Sequence, residues 1–461
     1  MAHGRVLPWI VLGAASLTWP LAAPGASAPS SDARAASASE SVAAAKDREA
    51  LFGDDLPRST PADGAGAWHG YVQGEAARAY REPAHWSKAR MRVELSREGR
   101  LSERVKWKVG GRFDYDAAYD VSHFYPPAVR DEQRSEFMLR ENYLNISEGD
   151  WDVRIGRQHI VWGEIIGTFV ADVVSAKDMR EFVLPEFGQL RIPQWAARVE
   201  YFKNDAHAEL VWIPVPSFDR IGKPGADFFP YPLPVPAGFL DEQIPTRKLS
   251  NSNYGFRLSQ LKKGWDVSGF YYHSLDASPT FYRVSSEPGP LVFQPRHDKI
   301  DQVGATVTKD LGAAVFKSEL VYTKGRQFSV TRSSAANGLV RQNTLDYAVG
   351  LDFSLERDTR LNVQFLQRVF FGHDADIIAD KRESAASLLV SHQLTSKVEA
   401  QALLIRSLNR DDWLFQPQLS WAFEKNWLLR FGLDLFGGPP TGVFGRFDNN
   451  DRAQVLVRYA F

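Results

Sequence analysis

From Trp68 to Phe461 the chain repeats one pattern: segments of about ten residues in which apolar and polar side chains alternate. A period of two is that of a β-strand, whose successive side chains point to opposite faces. Between Leu345 and Leu355, the residues Leu345, Tyr347, Val349, Leu351, Phe353 and Leu355 share one face. Asp346, Ala348, Gly350, Asp352 and Ser354 share the other. In the same way Trp427, Leu429, Phe431, Leu433 and Leu435 oppose Arg430, Gly432 and Asp434. Val105, Trp107, Val109, Phe113 and Tyr115 oppose Lys106, Lys108, Arg112 and Asp114.

The connections alternate in length. Short polar turns are predicted at Glu98-Gly99, Glu148-Gly149-Asp150, Lys203-Asn204-Asp205, Lys262-Lys263-Gly264, Asp310-Leu311-Gly312, Glu356-Arg357-Asp358, Thr395-Ser396-Lys397 and Glu424-Lys425-Asn426. Mostly longer, irregular connections lie between them, the longest near residues 165–191, 214–251 and 274–298. Short turns on one rim and long loops on the other is the arrangement of outer-membrane barrels. Eight short turns and nine longer connections join eighteen strands. The expected fold is therefore all-β: a transmembrane antiparallel β-barrel of about eighteen strands over residues 67–461, with short periplasmic turns and long extracellular loops. A soluble sandwich of this many strands needs several domains with boundaries, and a propeller needs a motif repeating about every 40 residues. Neither is visible.

The residues ahead of the barrel read as export machinery. Arg5 precedes a mostly apolar run, Val6 to Leu21, and Ala26-Ser27-Ala28 is a small-residue cleavage pattern. Residues 1–28 are thus an expected signal peptide, cut after Ala28 or, because Pro29 is an unfavourable neighbour, after Ala35. The run falls short of the ~20 residues a helical span needs. Residues 29–66, rich in Ala, Ser, Asp and Gly, are expected to form a flexible periplasmic lead-in.

At the other end Ala453, Val455, Val457, Tyr459 and Phe461 alternate with Arg452, Gln454 and Arg458. This resembles the terminal signature of bacterial outer-membrane barrels, in which the last strand is read by the insertion machinery. The resemblance implies Tyr459 and Phe461 as the insertion signal and the barrel-assembly machinery as a partner.

Composition agrees with a barrel. A mean hydropathy of -0.31 looks soluble. Yet the chain carries 13 Trp, 15 Tyr and 29 Phe, the combination expected of strands with a wet inner face and aromatic girdles outside. A net charge of -1 gives no bulk signal for nucleic acid. The absence of cysteine excludes disulfides, thiolate metal sites and a cysteine nucleophile.

The stretch Gly156-Arg157-Gln158-His159-Ile160-Val161-Trp162-Gly163-Glu164 resembles the Gly-Arg-Gln, then Trp-Gly-Glu, signature of a large group of proteobacterial outer-membrane proteins of unknown function. That resemblance implies an exported barrel associated with transport of hydrophobic compounds and implies no reaction. Read physically, a bulge at Gly156 would turn Arg157 and His159 into the lumen, and Arg157 with Glu164 would pin an inward-folded loop. The loop Ile165–Arg191 is unusually apolar, with Phe169, Val170, Val173, Val174, Phe182, Val183 and Leu184. It is expected to form the constriction. A Pro-rich aromatic run from Phe228 to Pro236 is a further candidate for the mouth.

The inward charges are mixed. Lys88, Arg90, Arg92, Lys106, Lys108 and Arg112 form an expected basic stripe, and Arg430 lies on the penultimate strand. Glu94, Asp114, Glu200, Glu209, Asp266, Glu319, Asp346, Asp352 and Asp434 are also placed inward. Bases on one wall facing acids on another would set a field across the pore and guide a carboxylate on an apolar body.

Catalytic constellations are poor. The 10 His show no metal-ligand spacing, and Ser391 and His392, adjacent on a strand, face opposite sides. Acidic stretches at Asn449-Asn450-Asp451 and Asp374–Asp380 are candidates for a surface cation, but no resident metal or cofactor is expected. The expectation is a non-enzymatic outer-membrane channel or facilitator for small organic, amphipathic or hydrophobic solutes. The alternatives are a plugged docking partner of a periplasmic carrier or export system, and a lipid-modifying enzyme. Lipid is the surrounding partner in each case.

Overall fold

A computed structural model describes residues 67–163, 165, 169–230, 237–285, 290–355 and 358–461. The signal and lead-in segments, Glu164, residues 231–236 of the Pro-rich run and Glu356-Arg357 lie outside the described residues.

Among the described residues eighteen barrel strands follow in chain order. The first six are β1 (Trp68–Ala79), β2 (His85–Arg100), β3 (Val105–Asp116), β4 in two pieces (Ser135–Leu139 and Asn142–Glu148), β5 (Trp151–Gln158) and β6 (Gln194–Lys203). The next six are β7 (Ala206–Val215), β8 (Asn253–Lys262), β9 (Trp265–Leu275), β10 (Lys299–Asp310), β11 (Ala314–Ser329) and β12 (Leu339–Leu355). The last six are β13 (Thr359–Phe371), β14 (Arg382–Thr395), β15 (Val398–Ser407), β16 (Trp413–Glu424), β17 (Trp427–Gly437) and β18 (Arg452–Ala460). Each pairs antiparallel with the next, and β1 pairs with β18 from Tyr71↔Ala460 to Ala79↔Arg452. Closure leaves no strand edge, so every ladder amide has a partner in a medium without water. Among the described residues no helix is long and apolar enough to cross a membrane.

The alternation places the sides as expected. Trp151, Trp265 and Trp427 point outward beside the short turns, while Trp86, Trp195 and Trp212 point outward near the long-loop rim. Phe461 closes the seam by exchanging backbone hydrogen bonds with Gly70 at 2.9 and 3.0 Å, and the Tyr459 ring lies 4.9 Å from Trp427.

Two expectations need correction. The first turn is not at Glu98-Gly99: β2 runs to Arg100, with Gly99 opposite Trp107, and the turn spans residues 101–104. A glycine fits mid-strand there because a side chain would meet the Trp107 ring at 2.8 Å. Nor does β5 carry a bulge: its register with β4 and β6 is continuous through Gly156. The break lies in the facing strand, between Leu139 and Asn142. Gly156 answers it with φ +134°, where a side chain would stand 2.3 Å from the Asn142 carbonyl oxygen.

Candidate functional site: a divided lumen

Residues 159–193 leave β5 at the long-loop end and turn back into the barrel. Their first part is apolar because it fills, and is not merely exposed to, the lumen. Ile160, Trp162, Ile165, Val170, Ala171 and Val174 pack against inward side chains of one wall. Those include Val211 and Ile213 of β7, Phe270 and Tyr272 of β9, Val321 of β11 and Leu366 of β13. Trp162 is fully buried, its ring 5.1 Å from Phe270 and 5.7 Å from Tyr272. It seats over Gly255 of β8, where a side chain would come within 3.1 Å of the indole. Glu319, inward on β11, holds this part of the loop. Its two carboxylate oxygens accept the backbone N–H groups of Ile165 at 2.6 Å and Ala171 at 2.7 Å.

The second part of the loop reaches the opposite wall through acids. Glu181 meets Lys88 at 2.5 Å, Arg90 at 2.7 Å and Arg452 at 3.2 Å. Glu186 meets Arg430 at 2.5 Å and Arg458 at 3.0 Å. Gln189 accepts from Arg92, and Arg191 closes the base of the loop on Asp172 at 2.7 Å. Burial alone would raise both glutamate carboxyls, but Arg90, Lys88 and Arg452 hold Glu181 far below the usual carboxylate range. Arg458 and Arg430 bring Glu186 down to about 2. Both therefore stay ionised at any physiological pH.

A cavity of about 120 Å³, termed the passage, lies between this loop and strands β1, β2 and β14–β18. Phe169, Val183, Leu184 and Leu190 of the loop and Leu389, Leu403 and Ile405 of the wall are its apolar lining. Gln401, Gln416 and Gln418, with Lys88, Arg90, Arg430 and Arg452, make the rest polar. Toward the long-loop mouth Leu184, Phe228, Leu414, Phe436, Val443, Phe444 and Phe447 form an aromatic cluster that Phe182 joins.

The sequence-predicted residues sort as follows. Lys88, Arg90 and Arg430 line the passage and hold the loop. Arg92 grips Asp114 at 2.7 and 3.0 Å, and Arg112 lies 3.2 Å from the same carboxylate. Lys108 pairs with Glu141 at 2.6 Å, while Lys106 is exposed nearer the short turns. Asp346 pairs with Arg368 at 2.7 Å, Asp352 with Lys317 at 2.6 Å and Asp434 with Arg452 at 2.7 Å. Arg157, opposite Trp195, makes no hydrogen bond or ion pair with the loop among the described residues. The basic stripe does not face acids across the pore. Glu75 on β1, Asp114 within the stripe and Glu181 from the loop pair with Lys88, Arg90 and Arg92 where they stand, because desolvated cations need partners at contact distance. Glu181 and Glu186 were not predicted, although a charge inside so apolar a loop itself signals a buried counter-ion. The inward Leu389 and Leu403 were missed too. Their trace is the consecutive apolar run in Leu388-Leu389-Val390 and Leu403-Leu404-Ile405, which breaks the period of two.

The acidic stretches on the loops are occupied by arginine: Arg332 holds Asp374 at 2.6 Å and Arg81 holds Asp451 at 2.8 Å. Glu200, His207 and Glu209 lie within 4.8 Å of one another on β6 and β7. Arg198, 2.6 Å from Glu200 and 4.0 Å from Glu209, already supplies the positive charge there.

His159, beyond the end of β5, is neutral: burial, then repulsion from Arg140, pushes it down to about 3. In the unfolded chain it protonates near 6.5. The unfolded state therefore binds the extra proton as pH falls below 6.5, and the barrel loses about 2 kcal/mol from this group by pH 5. His159→Gln is expected to flatten that part of a urea-unfolding profile followed by tryptophan fluorescence between pH 7 and 5; an unchanged slope would refute the assignment.

A family model described as "Protein of unknown function (DUF1302)" matches residues 84–380. No curated protein matches the chain. Among solved structures, OccAB1 of Acinetobacter baumannii aligns over 88% of this chain and 98% of its own, with a TM-score of 0.53 and 10% identity. OccAB2 of the same organism aligns over 87% and 99%, with 0.52 and 11%. OccK8 (OprE) of Pseudomonas aeruginosa aligns over 86% and 98%, with 0.51 and 9%. At such identities the likeness is one of fold, that of outer-membrane porin barrels.

Proposed function

Because this chain belongs to the DUF1302 family, whose description assigns no activity, we propose its function from the lumen: a non-enzymatic outer-membrane channel for small amphipathic organic solutes. One observation carries the reading. The narrow passage mixes apolar side chains, Leu389, Leu403, Ile405 and Leu184, with amides and ion-paired bases, Gln401, Gln416, Arg430 and Arg452, and Leu403 stands directly opposite Gln416 in the sheet. A purely aqueous pore has no use for inward leucines, which raise the cost of wetting it. A solute with an apolar body and a polar head meets both kinds of lining at once. The porin-type fold of the neighbours supports a channel, and eighteen strands leave room for one. Insertion through Tyr459 and Phe461 by the barrel-assembly machinery, and a lipid surround, belong to the same proposal.

The test is uptake into proteoliposomes of a medium-chain carboxylate against a sugar of equal size. The double variant Leu389→Gln, Leu403→Gln is expected to slow the carboxylate about tenfold, the effect of roughly 1.4 kcal/mol of lost apolar contact, and to spare the sugar. Equal effects on both solutes would overturn the reading. The aromatic cluster at the mouth supports a second one, a plugged docking protein. Absence of any conductance in planar bilayers would favour that one.

A further inference from the structure

A second, smaller chamber lies on the other side of the loop, against β2 and β3, and shares Pro185, Gln189 and Leu190 with the passage. We propose that this chamber binds one small monovalent anion, of halide or formate size, at Arg112. The proposal does not depend on the channel reading.

The chamber measures about 50 Å³. On that measure a water needs roughly 10–15 Å³, so the space takes a few waters or a single small anion. Arg112 supplies the reason to favour the anion. It is 3% exposed and lines the chamber, and its Nε and Nη1 are buried without a hydrogen-bond partner. Its nearest carboxylate, Asp114, lies 3.2 Å from Nε but is already gripped by Arg92 through two hydrogen bonds of 2.7 and 3.0 Å. Two guanidiniums thus share one carboxylate, leaving Arg112 Nη1 out of water with no acceptor of its own. Arg90 Nε is likewise buried without a partner.

The chamber's other acids are committed elsewhere. Asp116 accepts the N–H groups of Ala89 at 2.8 Å and Ala118 at 3.1 Å. Asp178 and Glu136 hold Arg180, at 2.5 and 2.6 Å, and Glu181 holds Lys88 and Arg90. Asp178, Glu136 and Glu181 cannot turn to Arg112 without uncovering another cation, and Asp116 cannot without uncovering two backbone donors. A buried guanidinium donor left without an acceptor is unfavourable, and an anion on Nη1 removes that penalty. Since Arg92, beside it, also donates to Gln189, the anion would brace the base of the constriction loop.

The experiment uses the full barrel in non-ionic detergent at constant ionic strength. Its thermal midpoint is followed by circular dichroism in sodium gluconate, chloride, bromide or formate. A saturable rise of several degrees is expected in the small anions over gluconate, the larger anion being too big for the chamber. Arg112→Gln should erase the difference. A rise in formate alone names a carboxylate ligand and a rise in halides alone names a halide; either supports a one-anion site. A rise that survives in Arg112→Gln, or no rise at all, overturns it. Should that variant fail to fold, bromide-soaked crystals of the natural protein decide. An anomalous peak beside Arg112 Nη1 supports the site, and water alone in the chamber refutes it.

Discussion

Replacing Glu319 with alanine is expected to destabilise the barrel by about 2–6 kcal/mol, since two buried backbone donors each lose their acceptor at roughly 1–3 kcal/mol. The same change should raise single-channel conductance. Both donors, on Ile165 and Ala171, belong to the inward loop, and the acceptor belongs to the β11 wall. Without it the amides can be satisfied only by water, which must enter beside Trp162 and Val170, or by movement of the loop out of the barrel. Glu319→Gln keeps one acceptor oxygen and should fall between. Urea unfolding and planar-bilayer recordings on the same preparations measure the two effects. Unchanged conductance with lowered stability would mean that the clamp holds the fold and does not shape the pore.

Glu181→Ala is the other large effect. Lys88, Arg90 and Arg452 converge on this carboxylate, and removing one side of a buried ion pair costs about 3–5 kcal/mol. The change frees Lys88, Arg90 and Arg452, which line the passage, of one negative charge, so the reversal potential in a salt gradient should move toward anion preference. The sign with pH follows from the depressed carboxyl. Its contribution is complete above the unfolded value near 4.3 and is lost only as pH falls through the much lower folded value. Conductance is therefore expected to be flat between pH 5 and 8 in the natural protein as far as this anchor is concerned. A conductance step in that window that disappears in Glu181→Ala would contradict the assignment.

The correspondence between sequence and structure is uneven in an instructive way. The faces of β3, β12 and β17 were legible, although β12 begins at Leu339 and not at Leu345, because each is apolar on its outer side and charged on its inner one and so shows a clear period of two. The Glu98-Gly99 turn was misread because a glycine usually marks a turn, while here it makes room for Trp107 across the strand pair. The Gly156 irregularity was placed on the wrong strand because a backbone break and the glycine that accommodates it can sit on opposite partners. The loop Ile165–Arg191 was recognised by its apolar content, but not the acids that tether it.

By itself the sequence determined the closed antiparallel cylinder, its strand number and the identity of its inward and outward faces. These depend on alternation and turn spacing, both local properties that lipid enforces on every strand. Only the tertiary structure decided how the lumen is divided. Which arginine answers Glu181 or Glu186, and why leucines face inward on β14 and β15, depends on a loop returning across the barrel to residues up to 272 positions away. Contacts of that range leave no periodic trace in the chain, because they are set by charge and shape meeting across a space that the strands only enclose.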